Sequence, residues 1–247
     1  MIARRTLIAV FAILLIAGIA AADLKVVKMT HRDGFTVMGQ TQAAEDQEQT
    51  TWIGDDRMLM EQGASATIIR LDTNKLIVVD HKEKSYSVLD LPINLDSLMP
   101  AGMAEQMKTM MTFEVTVTPS GESKTVGDWT AQRYEMKMTS KMMTMEATMW
   151  ASPHPAFDQE AYFNMAQHMA SLQPGMANVA KEMHKIEGLV VEQEGVMTMT
   201  MMGDVSVKTS ERTSSIEKLD PPAGIYDPPA DYTEKPFDFM KMMQREQ

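Results

Sequence analysis

Methionine is the residue type in this chain whose number and spacing could support chemistry. The sequence has 27 Met in 247 residues and no Cys, so all of its sulfur is thioether. A thioether is soft, polarizable and flexible, and it serves either as an adaptable apolar contact or as a ligand for copper(I). Which use applies depends on the elements that carry the methionines.

Three segments place Met at every second position, the spacing that puts side chains on one face of a β-strand. In 130–138, Arg133, Glu135 and Lys137 occupy the other face, and 141–150 and 196–202 repeat the alternation. If these strands are neighbours in one sheet, we expect their Met side chains to form one apolar surface. Its predicted members, the floor of a binding surface, are Met136, Met138, Met143, Met145, Met149, Met197, Met199 and Met201.

Helices are expected to cover this surface. The segment 157–187 has apolar residues at spacings of three and four, which predicts amphipathic helices divided at Pro174 and Gly175. The segment 95–111 is rich in Met, Ala, Leu and Glu and predicts one or two further short helices. We expect these helices to lie on the apolar face as a lid. The predicted lid residues are Met165, Met169, Leu172, Met176 and Met183.

The Met surface has three interpretations. It is a hydrophobic core packed against the helices, or an adjustable groove for an acyl chain or apolar polypeptide segment, or a copper(I) site. Only Met165, His168 and Met169 form a helical cluster at ligand-compatible spacing, and a surface His beside core Met explains that cluster equally well. Copper is therefore the third interpretation, and we predict no metal site and no cofactor.

Sequence motifs of catalysis are absent. The chain has no His-Glu-x-x-His, no Gly-Lys-Ser/Thr phosphate loop, no Gly-x-Ser-x-Gly elbow and no EF-hand loop. Asp80, His81 and Ser85 or Ser87 could be drawn as a triad, but they flank a tight turn, where polar residues are ordinary. We predict that the protein is not an enzyme and assign no catalytic residue.

The first residues have the order of a secretory signal peptide. Two arginines precede an apolar run over 7–19, and three alanines precede Asp23. The run is shorter than the roughly 20 residues that a membrane-spanning helix needs. We therefore predict cleavage of 1–22, a periplasmic or secreted location and no membrane span afterwards. With no Cys, neither a disulfide nor a thiol-linked lipid can form.

The net charge excludes some partners. The chain has 23 Lys and Arg against 34 Asp and Glu, a net charge of -11. Loss of the two arginines of the signal makes it -13 (-11 minus 2). Nucleic acids and anionic membranes attract basic proteins, so we predict no nucleic-acid partner.

The spacing of turns predicts the sheet. Over 25–91, turn residues recur every few positions between short apolar strands, which predicts an antiparallel meander. Strands resume over 113–150 and again over 189–218, with no linker composition between them. Within the first of these ranges, Pro119, Ser120 and Gly121 predict a turn between a strand over 113–118 and a strand over 124–126. We predict one α+β domain over 23–247: a large curved antiparallel sheet, an open half-barrel, with the helices on its concave face. Its tail, 237–247, either forms a short helix or frays.

Several motifs carry a family resemblance. In chain order they are WIGDDRM at 52–58, IRLD at 69–72, VDHKEKSY at 79–86, GDWTAQRY at 127–134, MWASP at 149–153 and PAGIY at 222–226. This order resembles an uncharacterised bacterial family, the domain-of-unknown-function family numbered 4412, over most of the mature chain. That family is similar in strand pattern to the periplasmic lipoprotein carriers.

The resemblance implies an open, strongly curved antiparallel sheet with helices plugging its concave side. It also implies non-catalytic binding of a lipid, an acyl chain or a lipoprotein segment, in which helices move aside and Met side chains repack. No residue matches a cargo-binding Arg of the carriers, and we assign Arg70 and Arg133 no role beyond surface charge. The alternatives are a cell-envelope structural or stress-response factor with a filled core, and Met-based copper(I) binding.

Overall fold

The computed structural model describes residues 22–37, 39–98, 102, 104–105, 112–171, 177–200 and 204–238. The predicted signal peptide and most of the tail therefore lie outside the described residues. Within them the chain is mainly β. The large sheet that the sequence predicts is confirmed, whereas helix is a smaller share than an α+β fold implies.

The strands are β1 (Asp23–Arg32), β2 (Phe35–Val37), β3 (Gln40–Gln42), β4 (Glu45–Ile53), β5 (Arg57–Gln62), β6 (Ser65–Arg70), β7 (Lys75–Asp80), β8 (Ser85–Asp90), β9 (Glu114–Val126), β10 (Trp129–Thr139), β11 (Met143–Ser152), β12 (Leu189–Met199), β13 (Val205–Leu219) and β14 (Thr233–Glu234). The helices are α1 (Leu95–Leu98), α2 (Gln159–Ser171) and α3 (Ala177–Met183). Among the described residues, no helix has the length and hydropathy to span a membrane.

Twelve strands form one open sheet in the order β14-β8-β7-β6-β5-β4-β1-β13-β12-β11-β10-β9. The meander predicted for the first part of the chain is confirmed, because β4 to β8 pair in sequence. Strands β9 to β13 form a second meander, and β1 lies between the two. All these pairs are antiparallel, and the short β14 adds to β8 in parallel.

Strand β9 runs unbroken where the sequence predicts two strands separated by a turn at 119–121. Tyr134 of β10 faces Pro119 and Gln132 faces Ser123, so a bulge in β9 absorbs the extra residues. Gly121 lies in this bulge with a φ of 79°. A bulge keeps both ends of a strand paired, which a turn would not. The prediction of two strands is therefore wrong.

One face of the first meander is covered by the C-terminal segment 220–236. Trp52, Leu59, Ile68 and Ile77 lie directly opposite one another on β4 to β7 and form a buried row. Tyr226 is buried against this row, and Ile225 and Tyr232 pack at its margin. The Pro-rich C-terminal segment thus completes a hydrophobic core.

A buried polar contact joins the two ends of the described chain. The hydroxyl of Tyr226 donates to Oδ2 of Asp23 at 2.6 Å, and Asp23 is only 4% exposed. Burial and the carboxylate of Asp23 raise the pKa of Tyr226 above its usual value. Nε of Arg57 lies 3.6 Å from the same carboxylate oxygen, and its guanidinium lies 4.8 Å from the Tyr226 ring centre.

Arg70 does more than supply surface charge, so that prediction is wrong. Its guanidinium donates to both carboxylate oxygens of Asp72, at 2.8 and 2.7 Å, and to Asp227 at 2.8 Å. The hydrogen bond from Arg70 lowers the pKa of Asp72. Since Asp227 follows Tyr226, Arg70 anchors the C-terminal segment to β6. Arg133 pairs at the surface with Glu122 of the β9 bulge, at 2.8 Å.

We expect Tyr226→Phe to lower the free energy of unfolding by about 2 kcal/mol, because it leaves a buried carboxylate without its hydroxyl donor. Urea unfolding followed by circular dichroism measures this loss. Tyr86→Phe is the matched control, since Tyr86 packs against the same cluster. Equal losses in the two variants would contradict a specific contribution from the contact with Asp23.

Candidate functional site

The methionines of β10, β11 and β12 share one face of one sheet, as their alternation predicts. Met138, Met145 and Met197 lie directly opposite one another, and Met143 lies opposite Met199. Residues directly opposite on neighbouring strands point to the same face. The three strands are neighbours, so the predicted continuous Met surface is present in the described residues. Met201 lies outside them.

Part of this surface is packed core. Met149 is fully buried in a cluster with Val117, Tyr134 and Ile186, and Met136 and Met138 pack against that cluster. The remaining strand methionines, which are Met143, Met145, Met197 and Met199, are half-buried. The surface therefore changes from packed to accessible along the strands.

Helix α2 is positioned at its start by a side-chain cap. The carboxylate of Asp158 accepts a hydrogen bond from the backbone N–H of Ala161 at 3.0 Å, which satisfies a free donor of the first turn. Along the helix, the ring of Phe163 stacks on His184, with centroids 3.6 Å apart. Because His184 directly follows α3, this contact ties the two helices together.

Helix α3 docks on the edge strand β9. Glu182 accepts a hydrogen bond from the backbone N–H of Val117 at 2.8 Å, and Lys185 lies 2.6 Å from the same carboxylate. Lys185 and this backbone bond lower the pKa of Glu182. Just beyond, the Tyr134 hydroxyl accepts from the N–H of Glu187 at 3.1 Å. Together with buried Ile186, these contacts fix the end of the helix pair to the sheet.

The chain leaves the helices through Gly188, which has a φ of 93°. A Cβ at this position would lie 2.3 Å from the backbone oxygen of Ser152, so only Gly fits. The side chain of Gln159 bonds both sides of this turn: its amide donates to the carbonyl of Ile186 at 3.1 Å and accepts from the N–H of Gly188 at 2.9 Å. Helix and strand thus meet at a fixed point.

A cavity of about 470 Å³ lies between these helices and the sheet. The first meander and β1 contribute Lys28, Met58, Met60 and Ile69, and the start of β12 with the preceding turn contributes Gly188, Leu189, Val190 and Gln193. The helices and their flanks contribute Phe157, Gln159, Tyr162, Phe163, Met165, Ala166, Val179, Ala180, Met183, His184 and Ile186. The lining is mostly apolar.

The structure brings two of the predicted lid residues to this cavity. Met165 and Met183 line it. Leu172 and Met176 lie outside the described residues, and for Met169 the side chain does. The predicted floor methionines that are described, namely Met136, Met138, Met143, Met145, Met149, Met197 and Met199, do not line it.

Met58 and Met60 take the place of the predicted floor residues. They alternate on β5 and face Ile53 and Thr51 of β4, which is next to β1. The alternation is visible in the sequence, but their approach to α2 and α3 depends on the position of β1 between the meanders. That long-range pairing has no local signal.

Exposed apolar groups gather at the cavity. Met60, Tyr162 and Met183 keep 36%, 38% and 37% of their surface accessible, although each is large and mostly apolar. All three line the cavity. Desolvation raises the pKa of the Tyr162 phenol. Clustered exposed apolar groups beside a cavity are typical of a ligand site.

A few polar groups face the same space. Lys28 pairs with Glu211 at 3.3 Å while lining the cavity, and Gln193 and His184 also line it. Among the described residues, no group of three or more His, Asp or Glu is arranged to hold a metal ion. The site can therefore offer an apolar ligand a long apolar wall and a small number of polar contacts.

The residues that could be drawn as a triad have structural partners. Nδ1 of His81 lies 3.0 Å from the hydroxyl of Tyr232, in the C-terminal segment. The carboxylate of Asp80 accepts from the backbone N–H of Glu83 at 2.9 Å, within the turn between β7 and β8. These contacts hold the turn and the segment that packs beside it.

Comparison with known proteins assigns no family to the chain. No protein-family model matches it, and no curated protein matches it. One solved structure, described as "Structure of PNGF-II in C2 space group", is similar with a TM-score of 0.37 and 9% identity. The similarity covers 89% of this chain and 32% of that chain, so this chain spans about a third of that protein's length. The resemblance to family 4412 stays a hypothesis.

We expect Gly188→Ala to lower the free energy of unfolding by about 3 kcal/mol or more. The alanine would be strained at this positive φ, and its Cβ would also clash with the backbone of Ser152. Thermal and urea unfolding measure the loss. Gly224→Ala is the control: Gly224 has a similar φ of 79° but nothing lies within 4 Å of the added Cβ. It should cost only about 1 kcal/mol. Similar losses at both positions would show that the approach to Ser152 is unimportant.

Proposed function

We propose that this protein is a non-catalytic binder of an apolar ligand, such as an acyl chain of a lipid or lipoprotein, in the cavity between α2, α3 and the sheet. The observation that carries the proposal is the cavity itself, about 470 Å³ with a mostly apolar lining. Ligand sites are commonly ~300–1,000 Å³, apolar, with few polar groups. This cavity fits that description.

The volume argues against a permanently filled core. Met60, Tyr162 and Met183 on its walls keep 36%, 38% and 37% of their surface accessible, so the space is open to solvent and is not filled by protein atoms. A space of this size is therefore occupied by water or by a ligand. Apolar walls bind water weakly, so an apolar ligand that displaces it is favoured.

The helices act as a lid in this proposal. The contacts of Glu182, Ile186 and Glu187 secure one end of the helix pair, and Asp158 caps the start of α2. Between these points, Met165 and Met183 face the cavity on the helix side, opposite Met60. Unbranched Met side chains repack at low cost, so the same walls can close over ligands of different shape. We place the helices on the concave side of a curved sheet.

The polar groups of the cavity suggest how a head group is held. Lys28 supplies a cation, and Gln193 and His184 supply hydrogen bonds. An acyl chain with an anionic or polar head would place its chain along the Met and Phe side chains and its head near Lys28. With the predicted signal peptide, the proposal places this binding in the periplasm or outside the cell.

Native mass spectrometry of the mature protein, purified from its own envelope and then extracted with organic solvent, tests whether a ligand is bound. We expect a mass increment that the extraction removes and identifies as a lipid or acylated molecule. If the protein carries only its own mass and also fails to bind the probe below, the filled-core structural role is favoured.

We expect Met60→Glu to weaken binding of cis-parinaric acid, a fluorescent fatty acid, by at least tenfold. The change places a carboxylate in the apolar wall, and since Met60 is 36% exposed the fold should tolerate it. Fluorescence titration of delipidated protein measures the affinity.

Met143→Glu is the matched control for this variant. It makes the same substitution at a half-buried Met on the same face of the sheet, away from the cavity. Its affinity for the probe should stay within twofold of the unmodified protein. Loss of binding in Met143→Glu with retention in Met60→Glu would move the site to the Met surface of β10 to β12.

A further inference from the structure

A row of three thioethers crosses the sheet away from the cavity. Met138 on β10, Met145 on β11 and Met197 on β12 are consecutive cross-strand partners. Valines bound the row, since Met138 faces Val115 of β9 and Met197 faces Val207 of β13. Directly opposite residues have Cα atoms about 5 Å apart, so the central Met145 has a thioether neighbour on each side.

Small residues border the row. In the next position along the strands, Met136 faces Ala147 and Ala147 faces Gly195. Ala147 is buried, and neither it nor Gly195 places a long side chain beside Met145 or Met197. Methionine has three rotatable bonds, so the outer thioethers of the row can lean over the central one without backbone movement. The three Met of the row are half-buried and therefore accessible to a small ion.

A second pair extends the sulfur surface. Met143 and Met199 are opposite each other two residues beyond Met145 and Met197. Five thioethers thus lie in two adjacent rows on one face. Packing alone explains a Met at any one of these positions, but it does not require that consecutive partners all carry sulfur, because Leu, Ile and Val fill apolar positions equally well.

The chemistry of such a site selects one kind of ion. Thioethers are neutral and soft, so they bind copper(I) and discriminate against zinc, calcium and magnesium, which prefer nitrogen, thiolate or oxygen ligands. The chain carries a net charge of -11, which attracts cations to its surface. Bounding valines keep the environment apolar, which suits a low-charge ion with neutral ligands.

We propose that Met138, Met145 and Met197 together bind one copper(I) ion, with Met143 and Met199 as adjacent thioethers. This site differs from the helical cluster of Met165, His168 and Met169 that the sequence suggests, and it does not depend on the cavity. The protein would then hold copper(I) outside the cytoplasm independently of any apolar ligand.

Anaerobic titration of the mature protein with copper(I), under ascorbate and in competition with bicinchoninate, tests the site. We expect one copper(I) per protein to be withdrawn from the chelator, and X-ray absorption to show sulfur as its neighbour atoms. The triple variant Met138→Leu, Met145→Leu, Met197→Leu should lower the affinity at least a hundredfold. Leu conserves volume, so circular dichroism should be unchanged.

The matched control replaces three other methionines of the same chain, by Met58→Leu, Met60→Leu and Met165→Leu. These residues line the cavity. The control should bind copper(I) like the unmodified protein, and the Met138, Met145, Met197 variant should bind cis-parinaric acid normally. The proposal is overturned if the unmodified protein does not compete with bicinchoninate, if the row variant retains copper(I), or if absorption shows nitrogen or oxygen ligands.

Discussion

The double pairing of β1 is the constraint on which the rest of the structure depends. Its nine residues from Leu24 to Arg32 pair with β4, and all ten pair with β13 near the end of the chain. Without this strand the chain would be two meanders, each with an exposed edge. With it, Leu24 and Val26 pack against Leu189 and Phe157 from the second half. The cavity lies where the halves meet, so β1 creates it.

Local patterns were enough to predict most strands. Alternation and turn residues act over a few positions, and they identify β4 to β8 and the Met strands because neighbours along the chain are also neighbours in the sheet. The pairing of β1 with β13 spans almost the whole described part of the chain, and nothing local encodes it. The continuity of β9 has no local signal for a related reason: a Pro-Ser-Gly sequence predicts a turn unless a partner strand accommodates a bulge.

The same contrast between local patterns and long-range pairing applies to the candidate site. Helical spacing shows which side of a helix is apolar, and Met165 and Met183 on that side line the cavity. The predicted floor methionines of β10 to β12 lie away from the cavity, whose sheet side carries Met58 and Met60. The sequence shows that these two residues alternate but not which elements pack on them. The ion pair of Arg70 likewise has no local signal, because its partner Asp227 is 157 residues away. Residue type and spacing predict which side chains share a face of a strand or helix. What packs on that face is set by the long-range pairing of strands.

The two proposals give methionine separable uses on one face of the sheet. Along β12, Gln193 is the cavity-lining residue nearest to the thioether row, and Met197 of the row lies four residues further on. At about 3.3 Å per residue these positions lie ~13 Å apart, too far for the thioethers around one ion to reach the cavity. Beside Gln193, its strand partner Met149 and Tyr134 form packed core. That core holds the strands in register, and the register aligns the thioethers. The proposed apolar site and the proposed copper(I) site can therefore lie on one sheet and bind their ligands independently.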